Sequence, residues 1–375
     1  MRVYLDYAAT TPLDPEIEEV MRPYQFLMGN ASSVHREGSS AKEALEEARE
    51  RLGRALGCSS RELIFTSGGT EANNQVLFGL GLAKGGHIVT SAIEHSAVLA
   101  PARALEGSKR CEVTYLMPDE FGVIQPDQVL EAITPQTTLV SVMHVNNEIG
   151  SLQDVRAINE ICRAKGILFH VDAVQSLGYV PFNVLELGCD LLTISAHKFY
   201  GPKGVGALFV RRGLELPPLL YGGHQEGGLR GGTHNVPGAV GMGFAAEKAV
   251  KLQPAESVRL TALRHVFQNL LLENTNVSLN GHPTNRSPRH VNVTARGVDG
   301  EALLMNLDLE GVAASSGSAC SAGTLEPSHV LIALGRSADE ARASIRFSLG
   351  RDTNLAQLEF AAKAFEKALE RSSLA

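Results

Sequence analysis

"CDLLTISAHKFYGPKGVGALFV", residues 189–210, decides how the rest of this chain is read. An apolar run ends in Ser195, His197 and Lys198. A Gly- and Pro-bearing turn follows, then a second apolar run. Neither run alternates apolar with polar residues, so both read as strands buried on two faces. Similar runs precede it: "ELIFT", "HIVTS", "EVTYL", "TLVSVM" and "ILFHVDA", separated by helical segments. Strands alternating with helices imply an α/β fold, a largely parallel sheet with helices on both faces. The clearest helix is "SSAKEALEEARERLGRALG", 39–57, with apolar residues at helical spacing, a capping box of Ser40 with Glu43, and Gly57 as its stop. This layout runs to about residue 250. A long helix near 255–273 then leads into a different pattern: "HVNVT", "EALLMNL", a small-residue loop, "SHVLIAL", "SIRFSL" and a last helix from 354 to about 371. The expectation is a large unit, 16–252, and a smaller α+β unit made of 1–15 with 253–375.

Bulk properties exclude several classes of function. The 375 residues carry a net charge of −7 with no basic block, which argues against nucleic acid or an anionic membrane as partner. No apolar run approaches the roughly 20 residues that cross a bilayer, and "MRVYLDYAATTPLDP" has no signal-like core. The five cysteines, 58, 111, 162, 189 and 320, form no C-x-x-C pair, so neither a disulfide framework nor a metal site is expected. These features describe a cytoplasmic protein with reduced thiols.

Ligands of α/β sheets collect at the carboxyl ends of strands. A lysine is ordinarily a solvated surface group. Lys198 directly follows a buried strand and precedes a backbone that can approach a ligand closely, a setting in which a lysine forms Schiff bases. The preceding strand, "FHVDAVQS", sets Asp172 and Gln175 at the same edge. The plain alternative for Asp172 is a helix N-cap. A carboxylate for a pyridine nitrogen and a lysine for an aldehyde are together the two demands of pyridoxal phosphate. "IFTSGGTEANN" adds a phosphate cradle, Ser67-Gly68-Gly69-Thr70 followed by Glu71 opening a helix, with Ser195 and His197 supplying further donors. His95, in "TSAIEHSAVLAP", follows another strand. It is either structural or a flat ring to stack on the pyridine and move protons. Asn146, Asn147 and Glu148 follow a strand in "MHVNNEIGSLQD", and Arg346, inside an apolar strand, suits a substrate carboxylate.

"SSGSACSAG", 315–323, surrounds Cys320 with Ser, Gly and Ala, leaving no core for a thiol to join. Free cysteine is usually a small buried hydrophobe. With "YLDYAATTP", "FTSGGTEANN", "EHSAV", "MHVNNEIG", "HVDAVQS", "SAHKFYGPKG", "GGHQEGGLRGGT", "SSGSACSAGTLEPSHVL" and "IRFSLGR", the chain resembles the cysteine desulfurases of the IscS/NifS type from residue 4 to 351. These belong to the class V aminotransferase group of fold-type I pyridoxal-phosphate enzymes. The resemblance implies that Lys198 holds the cofactor and then serves as acid and base, that Asp172 pairs with the ring nitrogen, and that Gln175 bonds the ring hydroxyl. His95 would stack on the ring, and Thr70, Ser195 and His197 would bind the phosphate. Thr233 would reach the phosphate of a partner subunit in a homodimer, while Asn147 and Arg346 hold the ring and the substrate carboxylate.

The implied reaction converts L-cysteine to alanine and leaves a persulfide on Cys320 for an acceptor protein, an iron–sulfur scaffold or a thiolation carrier. A loop of small residues would let Cys320 serve both substrate and acceptor. The other four cysteines read as structural. Ala31 stands where the family commonly has proline, and the chain ends soon after its last helix. The tail that housekeeping members use to dock a scaffold is therefore expected to be absent. Two other readings share parts of this pattern. A selenocysteine lyase would keep every cofactor residue and differ in its need for Cys320. A non-catalytic sulfur-relay protein would use Cys320 without Lys198, Asp172 and His95.

Overall fold

The computed structural model describes residues 1–316 and 326–373. A short strand β1 (Val3–Tyr4) opens the chain. Seven strands then build one sheet: β2 (Leu63–Thr66), β3 (Gly86–Ser91), β4 (Cys111–Leu116), β5 (Thr137–Ser141), β6 (Leu168–Asp172), β7 (Leu191–Ser195) and β8 (Gly206–Val210). Their order is β2-β8-β7-β6-β5-β3-β4, and every pairing among β3 to β7 is parallel. Only β8 runs antiparallel to its neighbours β2 and β7. Most of the apolar runs are buried on both faces, as their lack of alternation requires. β4 departs from that expectation, because it lies at the sheet edge with Glu112 exposed and Val113 to Tyr115 half-buried. In β8, Ala207 and Phe209 enter one core while Leu208 and Val210 enter another.

The register of β8 assembles the site. Gly206 at its start pairs with both Ser195, the last residue of β7, and Thr66, the last of β2. The Lys198 turn and the Gly-rich turn after β2 therefore lie side by side, although some 130 residues separate them in sequence (Thr66 to Ser195). A Cβ on Gly206 would stand 2.7 Å from the backbone of Gly68, so only glycine lets the two turns approach this closely.

A second sheet follows, built from β9 (Val277–Leu279), β10 (His290–Ala295), β12 (Ser315–Ser316) and β13 (Ser344–Ser348) in the order β12-β13-β10-β9. Beside it β11 (Val312–Ala313) pairs in parallel with β1, so the chain's first strand meets its last third. This region has its own apolar core around Phe267, Phe347 and Phe365.

Two helices differ from expectation. The helix expected from residue 39 spans Arg36–Leu56, because the His35 ring accepts from Gly38 N and caps it one turn earlier. Ser40 bonds back to the Arg36 carbonyl instead of capping. Gly57 does end it, in the left-handed conformation at φ 75°. The helix expected at 255–273 is one continuous helix, Val236–Leu272, with Pro254 inside. Its first half is small-residue and packs on Arg36–Leu56, with Gly243 against the Ala48 backbone. Its second half lends Leu260, Phe267 and Leu271 to the other core. Tertiary contact on both halves outweighs the broken backbone ladder at the proline. Among the described residues no helix is long and apolar enough to cross a membrane.

Candidate active site

Asp172 ends β6 and Lys198 follows β7, neighbouring parallel strands, so both open at one sheet edge. They line a cavity of about 250 Å³ together with His95, Asn147, Gln175 and Asn73. Asp172 is buried; its Oδ1 accepts from Val174 N at 3.0 Å and its Oδ2 from Asn73 Nδ2 at 2.7 Å. The helix-cap alternative fails, because turns and no helix follow β6 until Val184–Leu187. Lys198 Nζ donates to the carbonyls of Ala8 and Ala9, at 2.7 and 2.8 Å. The His95 Nδ1 accepts from Ala97 N at 3.0 Å, so His95 caps a helix and lines the cavity at once. The structural and chemical readings of His95 are compatible.

A second cavity of about 390 Å³ adjoins the first and shares Gly69, Thr70, Ser195 and His197 with it. The helix Gly69–Lys84 starts here without a side-chain cap, leaving first-turn N–H groups for an anion. His197 Nδ1 lies 3.1 Å from the Thr10 hydroxyl. Burial, then the charges of Lys198, Lys203 and Arg289, lowers its pKa to about 4, so it offers an N–H and no charge at neutral pH. Lys203 lines this cavity and brings a cation.

The residues fit pyridoxal phosphate. A buried carboxylate suits a ring N–H, a lysine suits the aldehyde, and the open helix start suits a phosphate. The buried Oδ1 atoms of Asn73 and Asn147 have no partner of their own, acceptors left for a polar ligand in the cavity that both residues line.

Two expected residues lie apart. Thr233 is exposed and lines neither cavity. Its loop is pinned from beneath by Glu226, which takes both Arg49 Nη atoms at 2.6 and 2.7 Å, His234 Nε2 at 2.9 Å and Phe65 N at 2.8 Å. Arg346 is buried in β13 and already has an anion: Nη2 meets Asp6 at 2.8 Å, and Nη1 the Asn147 carbonyl at 2.9 Å. Its Nε has no partner, and it touches the cavity through Asn147. Cys320 lies outside the described residues. The other four thiols are raised by burial, Cys58 and Cys162 to about 12. They are held protonated and are poor nucleophiles.

Sequence reasoning missed three contributors. Asn73 orients Asp172, and its only signal is the paired Asn of "TEANN". The segment 8–11 wraps the site through the Ala8 and Ala9 carbonyls and both threonines; Thr11 bonds the His197 carbonyl at 3.0 Å. Arg289 sits behind Gln175 with no motif around it.

Residues 3–360 match the family described as Aminotransferase class-V, and the chain belongs to it. Among curated relatives it is 48% identical to "Cysteine desulfurase IscS" of Dictyoglomus turgidum, over 98% of this chain and 95% of that one. It is 46% identical to the protein of the same name from Methanosarcina thermophila, over 93% and 87%. A solved "NIFS-LIKE PROTEIN" superposes with a TM-score of 0.92 at 34% identity, covering 99% of this chain and all of that one.

Proposed function

We propose that this chain is a pyridoxal-phosphate-dependent cysteine desulfurase, taking sulfur from L-cysteine and releasing L-alanine. One observation carries the reading: Asp172 and Lys198 leave adjacent strands into one cavity that an uncapped helix start also lines. When bound, the cofactor supplies the sink for the electron pair left by α-proton loss. Asp172, steadied by Asn73, keeps a proton on the ring nitrogen. Lys198 Nζ, suspended by the Ala8 and Ala9 carbonyls, would hold the cofactor through its aldehyde carbon and would carry the proton of the substrate α-carbon. His95 covers the ring and assists that transfer. Gly69, Thr70, Ser195 and His197 hold the phosphate, and Thr233 holds that of a second copy. Asn147 orients the substrate carboxylate, and Arg346, whose Nη atoms are taken by Asp6 and the Asn147 carbonyl, has only its unpartnered Nε to add.

Cys320 is the sulfur acceptor, a role that rests on the "SGSAC" motif and on the burial of the other thiols. Its thiolate attacks the substrate sulfur, the carbon–sulfur bond breaks, and a protein persulfide remains for an acceptor of iron–sulfur or thiolation chemistry. The working form is a cytoplasmic homodimer in which 16–252 bind the cofactor and 1–15 with 253–375 carry the cysteine loop.

The test is to give the purified protein L-cysteine, with and without reductant, and measure alanine and sulfide. Alanine in both cases, with sulfide released by reductant and one added sulfur on the Cys320 peptide, is expected. A Cys320→Ala variant that makes alanine at the unaltered rate would refute the desulfurase reading in favour of a lyase.

A further inference from the structure

We propose that Arg289 is a positioning residue that fixes Gln175 as a hydrogen-bond donor, so that the cofactor's ring oxygen is received as an anion. This rests on the pyridoxal-phosphate reading above. Arg289 immediately precedes β10 and its side chain is fully buried. Its Nη2 donates to Gln175 Oε1, and its Nη1 reaches the carbonyls of Tyr7 and Lys198, both at 3.4 Å. The guanidinium lies 3.6 Å from the centre of the Tyr179 ring. None of these partners is a carboxylate, so a full positive charge is buried beside the site without an acid to match it.

The orientation of the Gln175 amide follows from its two neighbours. Its oxygen faces a guanidinium, which can only donate. Its Nε2 faces the Ala8 carbonyl at 3.0 Å, which can only accept. Rotating the amide by half a turn would set N–H against N–H and oxygen against oxygen, two repulsive contacts in a buried place. With the oxygen drawn to Arg289 and one N–H on Ala8, the second N–H is what Gln175 has left for the cavity it lines with Asp172 and Lys198. A donor there stabilises a ring oxygen that has lost its proton, and the nearby guanidinium charge acts in the same direction. The ring hydroxyl expected as Gln175's partner is on this argument an oxyanion.

The test uses the cofactor-loaded protein and reads its absorption and cofactor affinity. The ring-oxygen anion absorbs in the visible, the protonated form in the near ultraviolet. Arg289→Met should lower the visible-to-ultraviolet ratio by roughly fivefold to tenfold, about the worth of one hydrogen bond, and weaken cofactor binding. Arg289→Lys, still a cationic donor, should restore most of the ratio. In a Gln175→Met background Arg289→Met should change the ratio no further. Should Arg289→Met fail to fold, Gln175→Glu carries the test: paired with Arg289, it offers the ring oxygen only an acceptor and should shift absorption to the ultraviolet. Gln175→Glu with its visible band intact overturns the proposal. So does a folded Arg289→Met with unchanged spectrum and affinity. An unsubstituted protein that takes up no pyridoxal phosphate removes the cofactor reading itself, a distinct result.

Discussion

At the scale of single residues, Asp172 tests whether the cavity is a reaction site. Both its oxygens are engaged, by Val174 N and by Asn73, and it is buried. Replacing it with alanine leaves Asn73 without its acceptor, a cost of about 1–3 kcal/mol in stability. If the carboxylate pairs with the ring nitrogen, the chemical loss is far larger, on the order of 10²–10³ in turnover. Melting temperature and alanine production measured on one preparation separate the two, and a variant with ordinary turnover and only a lower melting point would refute the assignment. Asp172 and Lys198 were legible because each follows an apolar run, and strand ends are where α/β sheets expose chemistry. Asn73 and Arg289 were not. Each meets its partner, Asp172 and Gln175, across 99 and 114 residues of chain, a separation that no local pattern encodes.

At the scale of elements, the proposed phosphate cradle depends on how closely β8 and the turn after β2 can approach. Gly206→Ala places a carbon 2.7 Å from Gly68 Cα, with backbone on both sides and little room to yield. The strain, roughly 1–3 kcal/mol, should fall on the first turn of the helix Gly69–Lys84. Titrating the cofactor-free variant with pyridoxal phosphate should show weakened binding by about tenfold, the equivalent of some 1.4 kcal/mol. Unchanged affinity would mean that the cradle does not depend on this contact. Histidines buried in and beside both sheets also store pH sensitivity. Burial lowers His170 to about 3 and His144 to about 4, and lowers His290 well below its ordinary 6.5. Below about 6.5 the unfolded chain binds protons there that the folded chain refuses, so stability falls as pH drops. Glu94, raised by burial to about 8, has the opposite sign over the same range, since the folded chain holds its proton first. His197, lowered to about 4, acts with these three, and against the one raised carboxyl the sum is a net loss. Melting temperature should fall steadily from pH 6.5 to 4.5, and a flat profile would contradict the buried neutral rings.

At the scale of the whole molecule, the exposed position of Thr233 fits a residue that works on a second copy. Its loop is tied down on the inner side, where Glu226 holds Arg49, His234 and the Phe65 backbone. If the chain forms a dimer in which Thr233 serves the second copy's site, mixing Lys198→Ala subunits with Thr233→Ala subunits gives hybrids with one doubly damaged site and one intact site. Activity should return on subunit exchange. Proven exchange with no recovery would place Thr233 in its own chain's site.

The sequence by itself determined the class of fold, because buried parallel strands need continuous apolar runs and leave that signature locally. It picked out residues that line one cavity for the same reason, since Lys198, Asp172, Gly69 and Thr70 each sit within a few residues of such a run. Only the tertiary structure decided what supports them. The carbonyls of Ala8 and Ala9 under Lys198, Asn73 against Asp172, the Asp6 partner of Arg346 and the donor-only Arg289 behind Gln175 are pairings between distant segments. Distant partners are selected by packing, and a hydrogen bond made across the fold imposes no spacing on the chain that makes it.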